Sequence, residues 1–184
     1  YIQEMKWSFK PENPTKFHIQ QSSDGKNMLC DAFDHEAVWG GFYTGDSLVA
    51  TCRVLTRENS LGKLDLELYN TKRFPSLSKI YTPCIELQRF AVQKEHRGSG
   101  EISPLLVLFG LEYAMVRKTG VCGTVPLKTL PFYSFKFGFE TLHTNFYYGE
   151  GKDEKASFVM FCPCDKVVDA IQAAKNLLVS ANHA

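Results

Sequence analysis

The sequence has no apolar run near the roughly 20 residues needed to cross a bilayer. Its longest candidate, Ile102 to Val116, contains Glu112 and runs into Arg117 and Lys118, so stable membrane insertion is not expected. It also lacks a surplus of either charge. Lys and Arg number 21 against 20 Asp and Glu, a formal net charge of +1. A general electrostatic grip on nucleic acid needs a basic excess, so nucleic acid is not an expected partner. No internal repeat and no signal-peptide pattern is legible; the sequence opens on Tyr1 rather than Met. The six cysteines (Cys30, Cys52, Cys84, Cys122, Cys162 and Cys164) match no zinc spacing, and Cys162-Pro163-Cys164 is one residue too tight for a thioredoxin-type pair. Cys52, Cys122 and Cys162 sit in apolar strand-like runs, which reads as buried thiols in a reducing cytoplasm.

What remains is an ordinary globular composition. The 184 residues are 44% hydrophobic and 22% charged, enough for one domain over 1–184 with a core of normal size. Residues 8–30, with Pro11, Pro14 and Ser22-Ser23-Asp24-Gly25, read as a long surface loop. Ala37–Tyr43 and Leu48–Leu55 read as a hairpin turning at Thr44-Gly45-Asp46-Ser47. Leu64 to Phe74 is ambiguous between strand and helix until Pro75 breaks it. Ile85–Val92 is the next strand, followed by a charged, glycine-bearing loop over Lys94 to Gly100. A helix over Ser103–Lys118 follows, with Pro104 in its first turn and Gly120 past its end. Then come a short strand (Val121–Val125), a short helix (Thr129–Phe137) and two strands (Phe139–Tyr148, Ser157–Cys162). A last helix covers 165–180, with Asp165 as N-cap and Val167, Val168, Ile171, Ala174 and Leu178 along one stripe. Strand–helix–strand in the middle implies a parallel pair, and the flanking hairpins imply antiparallel neighbours. The fold class is therefore α/β (α+β), a mixed sheet with helices on its faces.

Three groups of residues could carry chemistry. The loop Arg97-Gly98-Ser99-Gly100 between a strand and a helix presents backbone N–H groups to a phosphate, or is simply a tight connection. Glu86, Gln88 and Arg89 are polar intruders in an apolar strand, as Arg53 is in its own. A bulge between Glu86 and Arg89 would let them converge, and Arg53 is the obvious partner for a buried Glu86. Asp31 and Asp34, three apart, hold a cationic substrate group, fold back on Arg53 or Arg89, or form a solvated turn. The run from Phe132 to Phe139 either packs a core or walls an apolar acyl channel. His35 and His96 have no partner at metal spacing and read as surface residues. No serine sits in a nucleophile elbow.

In order along the chain, Asp31-x-x-Asp34, Arg53 and Glu86-Leu87-Gln88-Arg89-Phe90-Ala91-Val92 resemble the GNAT-fold N-acyltransferases. The resemblance is to the branch containing N-acyl amino acid synthases and acyl-homoserine lactone synthases, and it spans about residues 1–148 in pieces. It implies a GNAT-like, mostly antiparallel central sheet splayed in the middle. The implied reaction moves a long-chain fatty acyl group from acyl carrier protein to the α-amino group of an amino acid, with an aromatic acceptor such as tyrosine hinted at by the abundant aromatics. The donor would be the acyl-phosphopantetheine thioester of the carrier, with no bound cofactor and no metal required. Glu86 would be the base. Arg53 and Arg89 would bind the acceptor carboxylate or fix Glu86, while Asp31, Asp34 and Trp7 would lie at the acceptor. Amides near Phe90, Ala91 and Val92 would face the thioester oxygen. Leu105, Phe109, Thr124 and Phe132 would wall the acyl tunnel, and Arg97, Gly98, Ser99 and Gly100 would meet the phosphopantetheine. Ile102 departs from the family's Gln/Arg-x-x-Gly-x-Gly/Ala loop, which weakens the case for coenzyme A. Ser134 stands where many relatives place a tyrosine acid. Gln88, where lactone synthases commonly have serine, favours the amino acid synthases. The alternatives are a lactone synthase using S-adenosylmethionine and a non-catalytic acyl-binding module.

Overall fold

The computed structural model describes residues 18–21, 27–69, 74–98, 100–146 and 157–181. The stretch expected to be a single loop over 8–30 holds two short strands, β1 (His18–Gln21) and β2 (Asn27–Cys30), paired antiparallel with His18 opposite Cys30. A polar composition excludes a core strand, but a two-stranded ribbon still pairs the facing backbone groups of its two strands. The expected hairpin is present as β3 (Val38–Thr44) and β4 (Ser47–Leu55), with Gly45 at φ +57° in the turn.

β5 (Cys84–Val92) pairs antiparallel with β4 and parallel with β6 (Gly120–Pro126). β7 (Glu140–Phe146) and β8 (Ser157–Cys162) complete a six-stranded sheet of order β3-β4-β5-β6-β8-β7. The parallel pairing of β5 and β6 covers only Cys84–Gly120, Ile85–Val121 and Glu86–Cys122. Beyond Glu86 the two strands part, so the sheet is splayed at its centre.

Helices α1 (Ile102–Arg117) and α2 (Val167–Ala181) pack on one face. Leu106, Val107, Leu111 and Ala114 of α1 join Cys52, Val54, Ile85 and Leu87 of the sheet there. The opposite face is covered by loops and short helical turns over Asp65–Tyr69 and Pro75–Tyr81, whose Leu66, Leu77 and Ile80 bury with Phe33, Leu55, Cys84 and Cys122. Of the ambiguous segment after Leu64, the described part Asp65–Tyr69 is 3-10 helical, because leucines fastened to this second core do not need a strand partner.

Three sequence expectations change. The residue past α1 in the left-handed conformation is Lys118 (φ 54°), not a glycine. Gly120 serves close packing instead, since a Cβ there would sit 2.8 Å from the Cys162 carbonyl oxygen. The expected short helix over 129–137 is present, as a helical stretch that opens with a 3-10 turn (Leu127–Thr129) and includes a π turn (Phe132–Lys136). At the C-terminus a 3-10 turn over Cys164–Lys166 precedes α2, so Asp165 is not its cap, and Val168 lies on the exposed side while Ala170 takes the buried place. Of the cysteines, Cys52, Cys84, Cys122 and Cys162 are buried, whereas Cys164 is exposed. No helix among the described residues is long and apolar enough to cross a membrane.

Candidate active site

The polar intruders gather on the loop-covered face, where β5 and β6 begin to part. Along β4, Cys52 and Val54 face the helices, so Arg53 faces the loops; along β5, Ile85 and Leu87 face the helices, so Glu86 faces the loops. Arg53 lies opposite Gln88 and Leu55 opposite Glu86. The β4–β5 register then shifts: two steps from Arg53 to Thr51 match three from Gln88 to Ala91. This is a bulge with Arg89 at φ 53°, a conformation costly for a residue with a Cβ and found where surrounding contacts over-determine it.

Those contacts are ionic. Arg53 is fully buried. Its Nη1 donates to Asp31 Oδ1 at 2.7 Å and its Nη2 to Asp31 Oδ2 at 2.9 Å. Nη1 also donates to Asp34 Oδ1. Arg89 Nη2 donates to Asp31 Oδ2 at 2.6 Å, and its Nη1 lies 3.8 Å from Asp34 Oδ2. The turn holding both aspartates is fixed by its own hydrogen bonds, Phe33 N to Asp31 Oδ1 (2.9 Å) and Asp31 N to Asp34 Oδ2 (2.7 Å). The Arg53 guanidinium lies 6.0 Å from the Phe33 ring centroid and 5.7 Å from that of Trp39. Burial raises the proton affinity of Asp31, but its hydrogen bond to Arg53 and the charges of Arg53 and Arg89 outweigh that and hold the carboxyl below the ordinary range.

The expected Glu86–Arg53 ion pair is replaced by a different arrangement. Arg53 is taken up by the two aspartates, which reach it from the turn ahead of β3. Glu86, 1% exposed, accepts instead from the backbone amide of Leu66 at 3.1 Å on Oε2. Burial, then the neighbouring carboxyl of Asp65, keeps its proton affinity well above that of an ordinary glutamate. Asp65, 5% exposed, is the site residue that sequence reading missed. Burial pushes its carboxyl up to about 7 against the pull of Arg53 and Arg89. Its only trace in the sequence is an acid between Leu64 and Leu66, and nothing there shows which way it faces.

The other predicted residues fall in two places. Val92, Arg97, Gly98, Gly100 and Phe132 line, with Ile102, a cavity of about 240 Å³ at the foot of α1. Gly98 and Gly100 have φ of +84° and +80°, which lets the loop turn its backbone toward that cavity. Arg97 Nε donates to the Val92 carbonyl at 2.9 Å, tying the loop to the end of β5. Phe90 stacks on Tyr133 at 6.4 Å between ring centroids. Of the residues assigned to the acyl channel, Phe132 lines this cavity, while Leu105, Phe109 and Thr124 are not among its walls. Phe109 packs against Gly40, where an added Cβ would lie 2.9 Å from its ring. Ser99 and Trp7 lie outside the described residues.

A mixed sheet parted at its middle, with a glycine loop and helix following the parting strand, defines an acyltransferase fold of the GNAT type. The chain belongs to the acetyltransferase (GNAT) domain family, which it matches over residues 14–107, just over half its length. No curated protein sequence matches it. Solved structures similar to it include FeeM, an N-acyl amino acid synthase from uncultured soil microbes (TM-score 0.58, 18% identity, covering 76% of this chain and 74% of that one). Also similar are the coenzyme-A-dependent acyl-homoserine lactone synthase MesI (0.59, 16%, 97% and 81%) and the acyl-homoserine lactone synthase LasI (0.57, 15%, 88% and 81%). At these identities the likeness is one of fold.

Proposed function

We propose that this acyltransferase moves a long-chain fatty acyl group from acyl carrier protein to the α-amino group of an amino acid. The observation that carries the reading is the place of Glu86: a buried carboxyl at the last paired rung of β5 and β6, beside a two-arginine, two-aspartate network. The gap beyond that rung is where a thioester would lie, its oxygen facing the β5 amides of Phe90 to Val92. An amino acid arrives with its amine protonated, and a base must free the lone pair before it attacks the thioester carbonyl. Glu86, directly or through a water, takes that proton. Arg53 is sealed from solvent and acts by fixing Asp31 and Asp34. Arg89, whose side chain is 10% exposed, is the cation that reaches the acceptor carboxylate. The cavity at Gly98 and Gly100 takes the phosphopantetheine arm, and Phe132 starts the acyl wall.

The test uses purified full chain with acyl carrier protein loaded with a long acyl group and a mixture of amino acids, reading free carrier thiol and product mass. Thiol release with an N-acyl amino acid that keeps its carboxylate supports the reading. A lactone formed from S-adenosylmethionine moves the protein to the lactone synthases. Transfer from short acyl-coenzyme A alone moves it to general GNAT chemistry, and no thiol release even in a single turnover leaves an acyl-binding module.

A further inference from the structure

Among the described residues, the carboxyls of Asp31, Asp34, Asp65 and Glu86 gather with the guanidiniums of Arg53 and Arg89 on the loop-covered face of β4 and β5. Asp31 and Asp34 meet Arg53 and Arg89 in ion pairs, which balances both cations. Asp65 and Glu86 are two further carboxyls beyond that balance, each at least nine-tenths buried. Burying two uncompensated carboxylates on one face is far costlier than keeping a proton on one of them, so the two carboxyls hold one proton between them. A second observation points the same way. Asp65 Oδ1 is buried and has no hydrogen-bond donor among the described residues, and an orphaned buried carboxyl oxygen calls for one. A protonated neighbouring carboxyl is such a donor. The turn carrying Asp65 is also fastened to Glu86, because the very next amide, that of Leu66, donates to Glu86 Oε2.

We propose that Asp65 is a positioning residue paired with Glu86, receiving the Glu86 proton on Oδ1 so that Glu86 is free to take one from the acceptor ammonium. This rests on the acyl-transfer reading above and removes its one chemical difficulty, that a glutamate already holding a proton cannot act as a base. In sequence, the Glu86 O–H bond breaks as an O–H bond forms on Asp65. An ammonium N–H bond then breaks as its proton moves to Glu86. The freed nitrogen lone pair forms the new C–N bond at the thioester carbonyl, the C–S bond breaks, and the leaving thiolate takes a second proton from that nitrogen. Asp65 returns its proton to solvent after product leaves. The groups facing the pair are Arg53 from β4, Arg89 and Cys84 from β5, Cys122 from β6, and Asp31 and Asp34 from the turn ahead of β3. The arginines favour ionisation and the aspartates oppose it, so the two carboxyls titrate as one coupled unit.

The pair is tested without activity by carboxyl-carbon NMR on the full chain labelled at Asp and Glu. The resonance lost in Asp65→Asn should titrate near neutral pH in the native protein, and the Glu86 resonance should titrate at least one pH unit lower in Asp65→Asn than in the native protein. Titration of Asp65 below about pH 5, or no change of the Glu86 resonance in Asp65→Asn, overturns the pairing. In turnover, Asp65→Asn should lower kcat about tenfold or more with acceptor KM within about twofold and a displaced acid limb of the pH profile, and Asp65→Glu should recover part of it. Wild-type kcat and pH profile in a folded Asp65→Asn protein overturn the proposal and leave acyl transfer standing. If the native protein transfers no acyl group, the acyl-transfer reading falls and the NMR titration alone decides the pair.

Discussion

Arg53 and Asp31 meet through two parallel hydrogen bonds, 2.7 and 2.9 Å long, with both side chains fully shielded from solvent. Such a fork fixes the guanidinium in one plane, and here Phe33 and Trp39 lie within cation–π reach of it. It also turns Asp31 toward Arg89, so one carboxylate ties the hairpin strand β4 to the bulge of β5. The pair is the frame on which the rest of the site hangs.

Removing Arg53 should therefore cost stability as well as activity. Arg53→Met leaves the buried Asp31 with Arg89 as its remaining charge partner and removes the fork that fills its site, at a cost of about 3 kcal/mol. Arg53→Lys should recover little, because an ammonium cannot reproduce the bidentate fork. Urea denaturation of both variants checks this; a loss under about 1 kcal/mol for Arg53→Met would show that the pair contributes only orientation.

Glu86→Gln keeps the shape of the side chain and removes its basicity. Turnover should fall by roughly two to four orders of magnitude, while circular dichroism and the urea midpoint stay close to native, because the amide oxygen can still accept from the Leu66 backbone N–H. Carrier-thiol release measured beside the native protein decides it, and near-native turnover takes Glu86 out of the mechanism.

Stability should depend on pH in two opposite ways. The Asp65 carboxyl is raised from 3.8 to about 7, so between those values the folded protein holds a proton that the unfolded chain has lost. Its contribution is thus greatest in acid and declines as pH rises through about 7. The Asp31 carboxyl is held below 3.8, so its contribution is present at neutral pH and lost as pH falls through the acid range. The denaturation midpoint should peak near about pH 4 and decline toward about pH 7, by up to a few kcal/mol. Asp65→Asn should flatten that decline. A midpoint that climbs steadily from pH 5 to 8 contradicts this.

Gly123 sits where the strands begin to separate. A Cβ there would lie 2.7 Å from the Leu87 carbonyl oxygen, and backbone yields less readily than a side-chain end. Gly123→Ala should cost about 1–3 kcal/mol and disturb the amides around Glu86 in NMR spectra. Native stability with unmoved amides would show that the two backbones have room there.

The β3–β4 hairpin, the central strand–helix–strand unit and the mixed sheet were legible in the sequence because alternation, turn glycines and helical stripes are local signals. The same alternation flagged Arg53, Glu86 and Arg89 as polar residues where a core was expected. Periodicity could not reveal the bulge that gives Arg89 a positive φ, because a one-residue insertion shows only against the partner strand. Nor could it choose a partner for Arg53, a choice made when the turn at Asp31 folds over β4 from 22 residues away. Asp65 was illegible for the same reason, since an acid between two leucines has no face until the turn around it docks on β5. The chain by itself determined which side chains must be buried. The packing of loops over the sheet decided which charges each of them meets, because burial is a property of a strand's pattern, whereas electrostatic pairing depends on distances across the fold.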